Sequence, residues 1–151
     1  MNGMTVLVTG STGFLGRRVV HTLLEQGITV RCLVHNPGRE VVFGRASVDV
    51  HYGNIKDSLA LRNALYNVDA VIHLVAVIRE KRNATYQTIN VQGVQTLTQA
   101  AMTYRVKRMV LVSAIGARDN PAQPYLHSKW LGEQAVIESG IPYTILRPSI
   151  I

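Results

Sequence analysis

The chain has a single cysteine, Cys32, among 151 residues, so it can close no internal disulfide and build no cysteine-based zinc cluster. One lone thiol suits a reducing compartment. A cytoplasmic location is therefore expected, with peripheral association with a membrane complex left open. Long apolar runs are also missing. The longest, residues 70–78, is nine residues interrupted by His73, too short to span a bilayer. No basic stretch precedes an apolar run at the N-terminus, so no signal peptide is expected. Acidic side chains are scarce: nine Asp and Glu against sixteen Lys and Arg leave a net charge of +7. That balance favours anionic partners, and the phosphates of a small cofactor fit it as well as nucleic acid does. The basic residues are scattered over Arg17, Arg18, Arg31, Arg39, Arg45 and residues 79–82 and 105–108. With no basic helix and no aromatic RNA-binding segment, a nucleic-acid partner is not expected. His21, His51, His73 and His127 have no metal-ligand spacing, so no metal is expected either.

What is present is a regular alternation of strands and helices. With 47% hydrophobic and 17% charged residues, the chain can bury a core as one domain over residues 1–151. Short apolar runs at 5–8, 29–34, 48–52, 69–75, 108–113 and 143–146 read as strands. Helical stripes cover 14–26, a segment capped by Asp57, 85–104 and 125–139. Gly27 is placed to end the first helix, and Pro124 and Gly140 bracket the last. Strands alternating with helices imply right-handed crossovers and a doubly wound parallel α/β sheet. The chain stops at Ile150-Ile151, directly after a strand, so a further lobe beyond residue 151 is expected.

The turn Gly10-Ser11-Thr12-Gly13-Phe14-Leu15-Gly16 joins the first strand to the first helix. Gly10 permits a tight turn, Gly13 lets backbone approach a pyrophosphate, and Gly16 lets the helix pack on the strand. The helix N-terminus then offers free N–H groups and a positive dipole end to phosphates. The spacing is G-x-x-G-x-x-G rather than G-x-G-x-x-G, but a strand before it and an amphipathic helix after it make a dinucleotide site the expected reading. An NAD site usually carries an acid about 20 residues further on, for the adenosine ribose. Here the stretch is Leu33-Val34-His35-Asn36-Pro37-Gly38-Arg39, with no acid before Glu40. His35, Arg39 and Arg17 could attract a 2′-phosphate, so NADP(H) is favoured, with NAD(H) possible. Each of these side chains also reads as an exposed solvated charge, and for Arg39 that is the favoured reading.

These residues carry a family likeness. The glycine turn, together with Gly53-Asn54-Ile55-Lys56-Asp57, Asn90-Val91-Gln92-Gly93 and Leu146-Arg147-Pro148, resembles the short-chain dehydrogenase/reductase superfamily in its extended and atypical branches, the NAD-dependent epimerase/dehydratase-like proteins. Tyr125-Leu126-His127-Ser128-Lys129 with Gly132-Glu133, and the ending at 143–151, are similar to the atypical subgroup that contains the NADPH-binding accessory subunit of respiratory complex I. The resemblance implies a Rossmann sheet in strand order 3-2-1-4-5-6, often followed by a smaller substrate lobe. It implies that Asn54 and Ile55 contact the adenine, although the family often has Asp where Asn54 stands. It further implies Leu74, Val75 and Ala76 along the ribose and phosphates, and Pro148 and Ile150 beside the nicotinamide.

Tyr125 and Lys129 stand four apart on a helix and so share a face one turn apart. The lysine charge could lower the tyrosine pKa, leaving a phenol able to exchange a proton with a substrate oxygen. Lys129 could also bind the nicotinamide ribose. Ser113 ends the fifth strand, where its hydroxyl could polarise a carbonyl or simply bond backbone. Ser113, Tyr125 and Lys129 in this order resemble the superfamily's catalytic triad. Tyr52 and Lys56 have the same spacing but run from strand into loop, where they do not face each other. Asn90 could bridge backbone near the site, touch the cofactor, or cap its helix. The function expected is an oxidoreductase or epimerase acting on a small carbonyl or sugar-like substrate. The alternatives are a cofactor-holding structural or assembly subunit and a redox-sensing regulator. Helices 85–104 and 125–139 could also form a homodimer contact or a contact within a larger complex.

Overall fold

A computed structural model of the chain describes residues 3–149. β1 (Thr5–Thr9) leads into α1 (Phe14–Glu25), then β2 (Thr29–Val34), a short 3₁₀ turn (Arg39–Phe43) and β3 (Asp49–Tyr52). α2 (Ser58–Leu65) and β4 (Ala70–His73) follow. A wide-turned π-helical segment (Tyr86–Gly93) continues into α3 (Val94–Thr103), and β5 (Arg108–Val112), α4 (Pro124–Glu138) and β6 (Tyr143–Leu146) complete the fold. All six strands are parallel in the order β3-β2-β1-β4-β5-β6, the expected Rossmann arrangement.

Alternation along β1 sorts the core into two layers, because successive side chains point to opposite faces. Val6 and Val8 join Val20, Val30, Cys32, Val34 and Phe43 under α1. Leu7 joins Leu61, Leu65, Leu97, Met109, Leu111 and Val136 under α2, α3 and α4. Among the described residues, no helix is long and apolar enough to cross a membrane. Asp57 caps α2, accepting from the N–H groups of Leu59 at 3.0 Å and Ala60 at 3.1 Å.

Two elements differ from the sequence expectation. β4 ends at His73 rather than at residue 75. The Leu74 N–H still reaches the Thr9 carbonyl at 3.1 Å, after which the chain leaves the sheet. The helix expected over 85–104 begins as π-helix, and Thr85, not Asn90, caps it through a reciprocal box with Thr88. The order reverses between β1 and β4, so a crevice opens at their carboxyl ends.

Candidate functional site

The glycine turn sits at that crevice. Gly10 has φ +74°, and a Cβ there would lie 3.1 Å from the backbone of Leu74 and Val75. A Cβ on Gly16 would overlap the Gly10 carbonyl oxygen and stand 2.7 Å from Ser11 backbone atoms. Gly13 is the N-cap of α1, and no side chain bonds the first-turn N–H groups. Those unsatisfied donors and the dipole end suit an anion, so the turn fits the diphosphate of a dinucleotide.

A cavity opens on each side of the turn. One, of about 550 Å³, is lined by Gly10, Thr12, His35, Asn54, Ile55 and Val75 of the expected residues. Thr9, Leu33, Gly53, Lys56, Val77, Asn83, Ala84 and Ile89 complete its wall. The other, of about 670 Å³, gathers Phe14, Leu15, Leu74, Ala76, Ser113, Tyr125, Lys129 and Pro148. Leu74, Val75 and Ala76 thus face alternate cavities, as a chain leaving a strand should. Ser11 is buried beneath the turn. Asn36 and Arg39 are exposed beyond the first cavity's wall, with the Asn36 carbonyl accepting from the Arg39 N–H at 3.1 Å. Ile150 lies outside the described residues.

In the second cavity, Ser113 is 5% exposed and its hydroxyl has no hydrogen-bond partner among the described residues. A buried hydroxyl left unpaired is costly unless a ligand completes it. Its backbone N–H is engaged, donating to the Leu146 carbonyl at 2.7 Å. Lys129 is buried, and its Nζ donates to the Val112 carbonyl at 2.9 Å. Burial pushes its pKa down to about 8, against the opposing charge of Glu133 one turn along. Glu133 is in turn bound by Arg147, whose Nε donates to it at 2.9 Å. The Ile115 N–H meets the Pro148 carbonyl at 2.9 Å, so both bonds hold residues 147–148 against the cavity.

The expected lowering of the Tyr125 pKa does not occur. Burial raises it first and the neighbouring Tyr86 raises it further, while Lys129 has no resolved influence on it. The reason is that Lys129 turns its ammonium to the Val112 carbonyl. Tyr125 is accordingly a neutral phenol, suited to donating a proton.

Asn90 resolves as a bridge. Its Oδ1 accepts from the Val77 N–H at 2.8 Å, and its Nδ2 donates to the Val77 carbonyl and the Ser128 hydroxyl, each at 3.0 Å. At 2% exposed and fully engaged, its side chain is not free to touch a cofactor. It instead ties the loop after β4 to α4.

Sequence reasoning missed Tyr86. Its ring packs on Tyr125 at 5.8 Å between centroids, and its hydroxyl donates to the Ile78 carbonyl at 2.8 Å. The loop it anchors has no hydrophobic period, so nothing local announced the contact. His73 bonds Thr9 through Nδ1 at 2.6 Å, and burial, then the Lys129 charge, pushes its pKa down to about 3.

The buried ammonium has a pH signature. The Lys129 value of about 8 lies below its ordinary 10.5, so the folded state binds fewer protons than the unfolded chain between those values. The burial penalty is therefore complete below pH 8 and is relieved as the pH rises towards 10.5. Lys129→Met is expected to stabilise the fold at pH 7 by about 1–2 kcal/mol, a few degrees in Tm. It should also remove part of the stability gained between pH 8 and 10. Thermal denaturation at pH 7 and pH 9.5 checks this, and an unaltered pH dependence would contradict the assignment.

The comparisons with known proteins agree with this geometry. A family model described as NAD(P)H-binding matches residues 10–151. The photosystem II assembly factor Ycf39 of Synechocystis is 32% identical over 144 residues, covering 95% of this chain and 44% of that protein. Sterol demethylase protein B of Methylococcus capsulatus is 30% identical, covering 98% of this chain and 52% of that protein. The chain thus spans about half the length of these curated relatives. A crystal structure of a short-chain dehydrogenase/reductase superfamily protein from Agrobacterium tumefaciens with bound NAD superposes with TM-score 0.79 at 32% identity, covering 95% of this chain and 48% of that one. An Escherichia coli NADPH-dependent quinone oxidoreductase complexed with NADPH shares the fold, with TM-score 0.78 at 24% identity, covering 94% and 48%. The chain belongs to the NAD(P)H-binding family and has a Rossmann fold similar to that of short-chain dehydrogenase/reductase superfamily proteins.

Proposed function

We propose that the protein is an NADP(H)-dependent oxidoreductase that works on a carbonyl through Ser113, Tyr125 and Lys129. The observation that carries this reading is the convergence, in one cavity beside the uncapped α1 N-terminus, of an unpaired buried serine hydroxyl, a neutral tyrosine and a buried lysine. The nicotinamide dinucleotide supplies or accepts hydride when bound. Ser113 Oγ donates to the substrate oxygen and fixes its position. Tyr125 gives its proton to that oxygen as negative charge develops there. Lys129, whose ammonium has donors beyond the one given to the Val112 carbonyl, would hold the ribose hydroxyls. The residue 10–16 turn would hold the diphosphate, and Asn54 and Ile55 the adenosine. The remaining substrate contacts are expected from a lobe beyond residue 151. A homodimer contact over 85–104 and 125–139 would be centred on the exposed Met102 and Ile137.

The preference for NADP(H) rests on charge. Glu40, the first acid after β2, is occupied by the Gly38 N–H and the Tyr52 hydroxyl, each at 2.7 Å. His35 lines the adenosine-side cavity, and Arg39 is exposed and able to swing towards a 2′-phosphate. NADPH is expected to bind at least about tenfold tighter than NADH, and Arg39→Ala to remove about tenfold of that margin. Calorimetric titration with both coenzymes decides it, and tighter NADH binding would reverse the assignment.

A second reading has support from relatives named as photosystem II assembly factors: a protein that holds the coenzyme without turnover and acts in assembly. Tight NADPH that no carbonyl oxidises, together with an innocuous Tyr125→Phe, would favour it.

A further inference from the structure

The two cavities beside the glycine turn differ in chemistry. The adenosine-side cavity carries polar groups around its wall: Thr9, Thr12, His35, Asn54, Lys56 and Asn83. The Tyr125 cavity carries fewer polar side chains on a more extensive apolar wall. Its wall is Phe14, Leu15, Ala76, Ile78, Ile115 and Leu126, with further apolar residues between them. Among the described residues its polar side chains are Ser113, Tyr125, Lys129 and Ser149, with no carboxylate, guanidinium or amide. The cation in this set is engaged, since the Lys129 ammonium donates to the Val112 carbonyl. Three large apolar side chains stand open at this cavity: Phe14 is 78% exposed, Ile78 70% and Ile115 64%.

A sugar brings a hydroxyl on nearly every carbon, and each loses its water on entering such a wall without finding a partner. A sugar nucleotide further needs cations for its phosphates, and the described wall has none to spare. A hydrocarbon or aromatic body gains on the same surface. The unpaired Ser113 hydroxyl and the Tyr125 phenol offer two donors at one end of the wall, enough for one oxygen.

We infer that the substrate is an apolar aldehyde or ketone, held with its oxygen between Ser113 and Tyr125 and its body against Phe14, Ile78, Ile115 and Leu126. This deepens the oxidoreductase reading and rests on it. The carbonyl carbon gains a hydride from the dihydronicotinamide, which is oxidised to the nicotinamide cation of NADP⁺. The carbonyl oxygen gains the Tyr125 proton, the product is the alcohol, and the phenolate recovers a proton from solvent.

The test begins with NADP⁺ binding to the protein, measured by calorimetry. Binding of decanal and a steroid ketone is then compared with that of UDP-glucose and glyceraldehyde, in the presence of NADP⁺ so that no reduction occurs. The apolar carbonyls are expected to bind at least about tenfold tighter than either sugar compound. Ile78→Asp and Ile115→Asp alter exposed side chains and should fold as the parent does, checked by circular dichroism. Each is expected to weaken decanal binding on the order of tenfold while NADP⁺ affinity stays within about twofold. With NADPH, decanol should appear by mass spectrometry in step with coenzyme oxidation. Retained NADP⁺ binding with UDP-glucose or glyceraldehyde bound more tightly, or with decanal binding indifferent to both aspartates, overturns this inference alone. Failure of the parent protein to bind NADP⁺ overturns the oxidoreductase reading, and this inference with it.

Discussion

Gly16→Ala is expected to destabilise the fold by about 2–3 kcal/mol and to abolish coenzyme binding. Alanine is the better helix former by about 1 kcal/mol, so on propensity alone the change should help. The geometry opposes it: the new methyl would overlap the Gly10 carbonyl oxygen and press on Ser11 backbone. Those neighbours are main chain in a turn whose Gly10 already has φ +74°, so they cannot swing aside as a flexible side chain would. Overpacking of this kind costs typically about 1–3 kcal/mol and more where backbone must move. Gly13→Ala is the matched control. Its φ of −74° suits any residue, and its methyl would meet only the Gly10 oxygen, at 3.3 Å. It should leave stability within about 1 kcal/mol. It should nonetheless weaken coenzyme binding, because the methyl stands where a diphosphate would approach. Urea unfolding and coenzyme titration of the two variants together separate structure from binding. Equal stability for Gly16→Ala and the parent would refute the close approach of α1 to β1.

Tyr125→Phe is expected to lower carbonyl reduction by about 10²- to 10⁴-fold, with coenzyme affinity nearly unchanged. The lost group is the proton donor, while the ring that packs on Tyr86 remains. The raised pKa of Tyr125 makes a directional forecast as well. Reduction needs the neutral phenol and should hold its rate up to the alkaline range. Alcohol oxidation needs the phenolate and should climb with pH. Steady-state rates in both directions, from mildly acidic to alkaline pH, provide the measurement. A reduction rate that survives Tyr125→Phe would remove Tyr125 from the chemistry.

Much of this architecture was legible before any coordinates. Short apolar runs in the strands and the helical stripe in 14–26 separated the elements, because a central strand buries both faces and a surface helix only one. The glycine turn was legible because backbone geometry at Gly10 and close packing at Gly16 exclude side chains, and such exclusion is written directly in residue type. Tyr125 and Lys129 were legible because a helix puts residues four apart on one face. Asn90 was legible only as a set of alternatives. Bridge and cap use the same amide, and the choice was decided by Val77 and Ser128, which lie 13 and 38 residues away.

By itself, then, the sequence determined the parallel α/β class, the strand spacing and the turn at residues 10–16, since these follow from short-range sterics and burial periods. Only the tertiary structure decided the electrostatics of the site. Among the described residues the Ser113 hydroxyl lacks a partner, Lys129 commits its ammonium to Val112, and burial, then Tyr86, raises the pKa of Tyr125. Such outcomes depend on which groups from distant strands and loops are packed together and stripped of water, and desolvation has no local signature in a chain.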